Sequence, residues 1–250
     1  MADQERLDAV EIKVTLSGPA ADQAITVLAL DGTGERRRVY FCEDRRVADP
    51  ATLRLLDARI ILRIRRTPDG DDATVKLREC FRDQLAPPPW LDVVKDGKHK
   101  FRVEQDWAGD RKVLAASLVA PRDSDRLDDV LAGRATPRAL FSDRHRQFLA
   151  DCAGSAVDLD QLTVLGPVQV RKWDTVTWSG FAVDAERWVV GPLDFLELSI
   201  RVEPDRAVAA QAGFEAALRD AGLGGDPVQE TKTRLVLHRL AENAPSVQGR

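Results

Sequence analysis

Hydrophobic and polar residues alternate along several short stretches of the chain, with the period of two that is typical of β-strands. Residues 9–16 form the first stretch, in which apolar positions alternate with Glu11, Lys13 and Thr15. Successive side chains of a strand point to opposite faces of the sheet. The pattern therefore predicts a strand with one buried apolar face and one charged face.

Two of these stretches lie close together in the sequence and share a basic face. Residues 60–65 and 74–78 alternate in the same way, and a Pro68-Asp69-Gly70 turn signal lies between them. This arrangement predicts a β-hairpin. The polar positions of the hairpin are occupied by Arg63, Arg65, Lys76 and Arg78.

The rest of the chain adds more strands than helices. Further strands are predicted over residues 100–107, 168–178, 181–190 and 196–203. Helices are predicted over residues 125–131, 137–153, 205–221 and 230–240. Similar strands lie on both sides of the central helices, so we expect a single domain over residues 1–250 with a helical insertion at about 121–155.

A mostly antiparallel sheet with one apolar face and one charged face has two physical solutions. Either the charged face is exposed to water, or the sheet closes and the charged face lines a tunnel. The alternation of apolar and polar residues is compatible with both.

That distribution favours a bound anion. The 250 residues include 37 Lys and Arg against 41 Asp and Glu, and a net charge of −4 gives no general attraction to nucleic acid or anionic lipid. Residues 36–82, however, contain thirteen basic against eight acidic residues. Clustered guanidinium groups repel one another unless acids or an anionic ligand neutralise them, and they match phosphate oxygens. A small-molecule triphosphate or polyphosphate is one natural partner for such a cluster, and nucleic acid is not expected.

Acidic residues on the polar faces add a candidate metal site. The predicted strands carry Glu11, Glu104, Asp106, Asp184 and Glu197. Carboxylates beside phosphates are how proteins usually hold Mg²⁺, with one or two carboxylates and the remaining positions filled by water and phosphate oxygens. The alternative is that each acid forms an internal salt bridge with a neighbouring basic residue.

Several short motifs follow one another in an informative order. They are Glu11-Ile12-Lys13, Val39-Tyr40-Phe41, Leu62-Arg63-Ile64-Arg65, Val75-Lys76-Leu77-Arg78, Arg102-Val103-Glu104, Gly191 to Asp194, and Phe195-Leu196-Glu197. Together they resemble the CYTH superfamily, also called triphosphate tunnel metalloenzymes, over most of the chain. The resemblance implies an α+β fold, in which an antiparallel closed β-barrel (tunnel fold) has a charged lumen and helices packed outside.

The same resemblance implies an activity. Members bind a triphosphate in the barrel lumen with Mg²⁺ or Mn²⁺. They include thiamine-triphosphatases, inorganic tripolyphosphatases, RNA triphosphatases and class IV adenylyl cyclases. For this chain the resemblance implies divalent-metal-dependent hydrolysis of an organic or inorganic triphosphate.

Roles for individual residues also follow from the resemblance. The phosphate grips that take part in catalysis would be Lys13, Arg63, Arg65 and Lys76. The substrate-binding residues would be Arg78, Arg102, Lys232 and the adjacent pair Arg171 and Lys172, of which one is expected to reach the phosphates. The metal-side acids would be Glu11, Glu104, Asp106, Asp184 and Glu197.

Two positions depart from the family pattern. The opening Glu-x-Glu-x-Lys motif has Ala9 at its first glutamate, and the late Glu-x-Glu pair has Ser199 at its second. A two-metal site needs acids that hold both ions about 3.5–4 Å apart, whereas the remaining acids suffice for one ion. A triphosphatase and a catalytically degenerate module that binds polyphosphate or a nucleotide therefore both stay open. Adenylyl cyclase is the third alternative, and the sequence shows no adenine pocket for it.

Other chemistries find no support in the sequence. There is no Gly-x-x-x-x-Gly-Lys-Ser/Thr phosphate loop, and the three histidines are isolated from any zinc-type spacing. Cys42, Cys80 and Cys152 form neither a Cys-x-x-Cys pair nor an even set, which favours a reducing compartment. No apolar stretch approaches the ~18 residues of a membrane span, so we expect a cytoplasmic protein.

Overall fold

The computed structural model describes residues 6–30, 32, 34–46, 52–87, 89–92, 95–224 and 232–243. The strands in these ranges are β1 (Ala9–Ser17), β2 (Glu35–Glu43), β3 (Ile60–Thr67), β4 (Gly70–Arg78), β5 (Lys95–Asp96), β6 (His99–Ala108), β7 (Arg111–Arg122), β8 (Thr163–Trp178), β9 (Phe181–Val190) and β10 (Leu193–Val202). The α-helices are α1 (Pro19–Val27), α2 (Arg54–Asp57), α3 (Ser124–Leu131), α4 (Asp143–Cys152), α5 (Ala207–Asp220) and α6 (Lys232–Asn243). Short 3₁₀ helices cover Arg82–Leu85, Pro137–Leu140, Leu159–Gln161 and Pro204–Arg206.

Nine of these strands close into a barrel. Hydrogen bonding follows the order β1-β10-β9-β8-β2-β3-β4-β7-β6, and β6 then pairs with β1, while β5 extends the edge of β6. All neighbours are antiparallel except β1 and β6, which run parallel. An odd number of strands cannot alternate in direction around a closed ring, so one parallel pair is unavoidable. The expected closed barrel is confirmed, and the expectation of a wholly antiparallel barrel is corrected at this one seam.

The outer face of the barrel is apolar and is covered by helices. Val10 and Ile12 of β1 pack in one apolar cluster with Phe214 of α5 and Ala24 of α1. A second cluster joins apolar residues of β3, β4 and β6 to α3 and α4. Because side chains alternate along each strand, the intervening charged residues face the interior.

One end of the barrel interior is apolar, and α6 fills it. Phe41, Ile61 and Trp188 line the interior and belong to the same apolar cluster as Val236 of α6. Burying these large side chains fixes the helix at this end of the barrel. As a result, Lys232 in the first described turn of α6 reaches the charged part of the interior.

Most of the predicted elements correspond to observed ones, with some differences. Residues 137–153 form a 3₁₀ turn and α4 instead of one helix, because the Ser142 side chain accepts a hydrogen bond from the His145 amide and starts a new helix there. Strands β5 and β7 and helices α1 and α2 were not predicted. The predicted 230–240 helix begins outside the described residues, which show α6 from Lys232 onward. Among the described helices, none has both the length and the apolar character needed to cross a membrane.

Candidate functional site

The charged part of the barrel interior is a cavity of about 360 Å³, here called the lumen. Its basic side chains are Lys13, Arg63, Arg65, Lys76, Arg78, Lys100, Arg102, Lys172, Arg201 and Lys232. Its acidic side chains are Glu11, Glu104, Asp106, Asp184, Glu186 and Glu197. The ten basic groups exceed the six acidic ones, so the lumen attracts anions although the chain as a whole is acidic.

The lumen opens into a wider groove of about 790 Å³, here called the mouth. Lys100, Arg102, Glu104 and Arg201 line both spaces, and Arg206 lies in the mouth alone. Four basic and three acidic side chains line the mouth, so its excess of positive charge is smaller than that of the lumen.

The lumen brings together nearly all of the side chains that the sequence singled out. The basic ones are Lys13, Arg63, Arg65, Lys76, Arg78, Arg102, Lys172 and Lys232, and the acidic ones are Glu11, Glu104, Asp106, Asp184 and Glu197. Their individual roles stay predictions. Their presence in one cavity follows from strand alternation, since on each strand they occupy positions two residues apart.

Arg171 is the exception, because the structure does not place it in the lumen with the others. It lies on the outer face of β8, beside Trp173 and Gly34, and lines a groove there instead of the lumen. The next residue, Lys172, points the other way and lines the lumen. Of the two alternatives that the sequence left open, only Lys172 is in a position to meet a ligand in the barrel.

Asp106 is the centre of the first charged cluster in the lumen. Its carboxylate lies 2.8 Å from Lys76 Nζ, 3.2 Å from Arg78 Nε and 3.3 Å from Lys13 Nζ. Burial raises the pKa of Asp106, but the three cations outweigh burial, and the net effect is a pKa well below the usual range. Lys13 Nζ also lies 2.8 Å from Glu11. Lys13 thereby bridges two carboxylates on neighbouring strands.

A second cluster is built in the same way around Lys232. Its Nζ lies 2.7 Å from Glu197 and 3.1 Å from Glu186, which face each other across the β9–β10 pairing. The Trp188 indole N–H donates to Glu186 at 3.0 Å, and Lys172 Nζ lies 3.9 Å from the same carboxylate. Burial raises the pKa of Glu186, but Lys232 and Lys172 more than offset burial and hold the pKa below its ordinary value.

Arg63 is a lumen cation without a carboxylate partner among the described residues. Its Nη2 lies 3.5 Å from Thr74 Oγ1, and its Nε is buried without a hydrogen-bond partner there. Burial and the nearby Arg65 guanidinium both lower the pKa of Arg63. Arg65 is different, because its Nη2 lies 2.7 Å from Asp72. A buried guanidinium N–H without a hydrogen-bond partner is costly in a folded protein, and an anionic ligand would remove that cost.

The two departures from the family pattern lie at specific places in the barrel wall. Ala9 stands opposite Glu104 in the β1–β6 pairing, and Glu104 forms its ion pair with Arg201 instead. Ser199 stands opposite Asp184 in the β9–β10 pairing. Each missing carboxylate would have faced another acid, so this lumen has two acidic pairs fewer than the family pattern implies.

The remaining acids fit a metal ion that arrives with a phosphate. No three His, Cys, Asp or Glu side chains of the described residues are grouped to hold a metal by themselves. Two facing carboxylates, as in Glu186 with Glu197, are nevertheless the usual protein share of a Mg²⁺ site whose other ligands are water and phosphate oxygens. The donor set therefore suits Mg²⁺ or Mn²⁺ bound together with a polyphosphate.

Three lumen residues were missed by the sequence analysis. Glu186, Lys100 and Arg201 all face the cavity. Glu186 lies two residues after Asp184, and Arg201 lies two residues after Ser199, so the strand period could have placed both on the lumen face. None of the three belongs to one of the CYTH-like motifs.

Comparison with known proteins identifies the fold. No model of a known protein family matches the chain, and no curated protein sequence matches it. HpAC1 from Hippeastrum, described as a candidate adenylyl cyclase with a dominant triphosphatase activity, is 16% identical, and the match covers 91% of this chain and 94% of that one with a TM-score of 0.57. A candidate adenylate cyclase from Bacillus halodurans is 13% identical, with 92% and 98% covered and a TM-score of 0.58. The chain therefore has the CYTH-type tunnel fold that its motifs implied.

Proposed function

We propose that the chain binds a small-molecule triphosphate in the lumen and hydrolyses its terminal phosphoanhydride with the help of Mg²⁺ or Mn²⁺. The observation that carries the proposal is Arg63, a partly buried guanidinium whose Nε is buried without a hydrogen-bond partner in the part of the chain that the structure describes. It has no carboxylate partner among the described residues and stands in a cavity with excess positive charge. A phosphate oxygen matches the hydrogen-bonding geometry of a guanidinium.

Hydrolysis adds water to the terminal phosphorus and breaks the bond from that phosphorus to the bridging oxygen, which releases orthophosphate. Arg63, Arg65 and Lys76 would hold the non-bridging oxygens and neutralise the charge that develops on them. Lys13 would support Lys76 through their shared Asp106 partner. A divalent cation held by Glu186 and Glu197 would neutralise further phosphate charge.

The structural neighbours agree with this proposal. HpAC1 is described as having a dominant triphosphatase activity, and it shares the fold of this chain. Both neighbours are also described as candidate adenylyl or adenylate cyclases. Cyclase activity is therefore an outcome to be measured alongside phosphate release, as formation of cyclic AMP from ATP.

A second candidate function is binding of a polyphosphate or nucleotide without turnover. Its specific support is that lysine ammonium groups bridge both facing carboxylate pairs, Glu11 with Asp106 and Glu186 with Glu197. With both lysines in these positions, the four carboxylates already have cationic partners in the absence of a metal ion. The absence of acids at Ala9 and Ser199 points the same way.

Phosphate release tests the first candidate against the second. Tripolyphosphate, thiamine triphosphate and ATP would each be assayed with Mg²⁺, with Mn²⁺ and with chelator. The matched pair of variants is Arg63→Ala/Arg65→Ala in the lumen and Arg36→Ala/Arg171→Ala on the outer face, where Arg36 pairs with Arg171 in the β2–β8 register.

We expect metal-dependent release from at least one substrate, a loss of about a hundredfold or more in the lumen variant, and normal release in the outer-face variant. Saturable binding of a substrate with no phosphate release in any condition would favour the second candidate, binding without turnover, over hydrolysis. Equal loss in both variants would place the activity outside the lumen.

A further inference from the structure

We propose that the Lys232 ammonium and a divalent cation compete for the Glu186–Glu197 carboxylate pair, so that metal enters this position only when Lys232 leaves it. The competition deepens the proposed function, because it concerns the metal of the same site. It assigns Lys232 a role as an internal counter-ion, in addition to the substrate contact that the sequence predicts.

The pair is built as a cation position. Glu186 and Glu197 stand directly opposite each other on β9 and β10, and both side chains line the lumen. Two facing carboxylates with little solvent around them repel each other unless a cation lies between them. Lys232 Nζ is that cation, at 3.1 Å and 2.7 Å from the two groups, and its side chain is only 10% exposed.

Lys232 differs from the other bridging lysine in where it comes from. Lys13 belongs to β1 and is held in the barrel wall by pairing with β10 and β6. Lys232 belongs to α6, which is held mainly by apolar contacts of Val236 and its neighbours. Moving the ammonium group out of the lumen therefore breaks no strand pairing.

Removing Lys232 would leave Glu186 with only the more distant Lys172, at 3.9 Å, and Glu197 without a lysine among the described residues, so that the pair attracts a divalent ion. The same Coulomb attraction that binds the ammonium, a charge of +1, acts on a charge of +2 at the same place. A metal ion can bind the two carboxylates only after the Lys232 ammonium has left them. The free energy of that displacement weakens metal binding. A neutral side chain at position 232 removes that cost.

Trp188 reports on this position without any catalytic readout. Its indole N–H donates to Glu186 at 3.0 Å, and its ring lies 4.4 Å from Lys232 Nζ. Mn²⁺ is paramagnetic and quenches nearby indole fluorescence. If Mn²⁺ quenches the tryptophan fluorescence, and the Trp188→Phe change removes that quenching, the ion is bound at this carboxylate pair.

The test is a Mn²⁺ titration of the full chain without triphosphate. Binding is monitored by the electron paramagnetic resonance signal of free Mn²⁺ and by tryptophan fluorescence. The proteins are wild type, Lys232→Met, Lys232→Met/Glu186→Gln, Lys232→Met/Trp188→Phe and the control Lys100→Met. Lys100 also lines the lumen but has no carboxylate partner among the described residues, so the control removes one positive charge without releasing a carboxylate pair.

We expect Lys232→Met to bind Mn²⁺ roughly tenfold tighter than wild type or more, the range in which neighbouring groups tune metal affinity. The added Glu186→Gln change should abolish the gain in Mn²⁺ affinity. Lys100→Met should increase the Mn²⁺ affinity much less than Lys232→Met does. Equal affinity of wild type and Lys232→Met would overturn the proposal. An equal gain in Lys100→Met would overturn it too, because the effect would then be general electrostatics.

Circular dichroism and melting of each variant establish that it is folded, and Lys232→Gln provides a polar replacement if Lys232→Met is not. Because no triphosphate is present, the result is independent of turnover. A chain that hydrolyses no substrate can still show the competition, and an active chain can still lack it.

Discussion

Asp106 stands directly opposite Glu11 in the parallel pairing of β6 with β1, the seam where the barrel closes. Both carboxylates share Lys13, and Asp106 also contacts Lys76 from β4, which β7 separates from β6. The same buried acid thus joins the closing strands to the basic hairpin. Its removal should affect the stability of the barrel as well as the charge of the lumen.

Asp106→Asn is therefore expected to destabilise the protein by roughly 3 kcal/mol or more, because breaking a buried ion pair leaves uncompensated charges. Urea-induced unfolding at neutral pH measures the loss. The control is Asp128→Asn, since Asp128 pairs with Arg66 at the surface, where an ion pair contributes little. Similar unfolding free energies for Asp106→Asn and wild type would contradict the structural role of Asp106.

Two arginines on β3 should separate ligand binding from stability. Arg63 has no carboxylate partner among the described residues, so Arg63→Met should leave the melting temperature unchanged or raise it. It should also remove the stabilisation that tripolyphosphate gives the wild type. The measurement is calorimetric melting with and without tripolyphosphate.

Arg66 provides the contrast. It holds the buried Asp71 at 2.9 Å and does not line the lumen. Arg66→Met should lower the melting temperature, because Asp71 loses its partner, while the shift caused by tripolyphosphate is kept. An Arg63→Met variant that melts at a lower temperature than wild type, and is still stabilised by tripolyphosphate, would contradict an anion site at Arg63.

His145 should make the fold sensitive to acid. Burial and the nearby His99 lower the pKa of His145 to about 4, and its ring bonds to the Leu118 carbonyl at 3.2 Å and to Ser142. A base with a lowered pKa in the folded state contributes stability that is complete above its unfolded pKa of about 6.5. That contribution is lost as the pH falls through about 6.5 toward 4.

The loss amounts to about 3 kcal/mol once His145 is protonated. It is isolated by comparing wild type with His145→Gln in urea at pH 7.5, 5.5 and 4, about the range over which the histidine titrates. The advantage of wild type over the variant should be largest at the highest of these pH values and shrink in acid. A constant difference at all three would show that His145 does not titrate in this range.

Restoring the missing acids should strengthen the dependence on metal. In Ala9→Glu/Ser199→Glu, the new carboxylates would face Glu104 and Asp184, respectively, at register-paired positions of the wall. We expect phosphate release at saturating Mn²⁺ to rise relative to wild type, because the added carboxylates allow the lumen to hold a second ion. Release that is unchanged or lower, in a variant that folds normally, would show that these positions do not limit catalysis.

The alternating strands made much of the barrel and its lumen predictable. On β3 and β4, strict alternation is enough to place Arg63, Arg65 and Lys76 on one face of the sheet. Strand β7 escaped prediction because Ala115, Ala116 and Ser117 are small residues that fill the wall without a clear apolar and polar period. Closure of the ring depends on the β1–β6 pairing between distant segments, which no local pattern encodes.

The finer arrangement of the site could not be predicted for a related reason. Which acid pairs with which lysine depends on strand register, as in the Glu186 and Glu197 pairing, and on where α6 enters the barrel. The choice between Arg171 and Lys172 depends only on which face of β8 points inward. The pairing of Lys172 with Glu186 across β8 and β9 fixes that face.

Isothermal titration of tripolyphosphate into the full chain, with Mg²⁺ and with chelator, tests most directly whether the lumen is a polyphosphate site. We expect saturable binding of one ligand per chain that weakens roughly tenfold or more in Arg63→Met/Arg65→Met, a loss of at least about 1.4 kcal/mol of binding free energy. Binding should be unchanged in Arg36→Met/Arg171→Met on the outer face. No saturable binding in either condition, or equal weakening in both double variants, would contradict a polyphosphate site in the lumen.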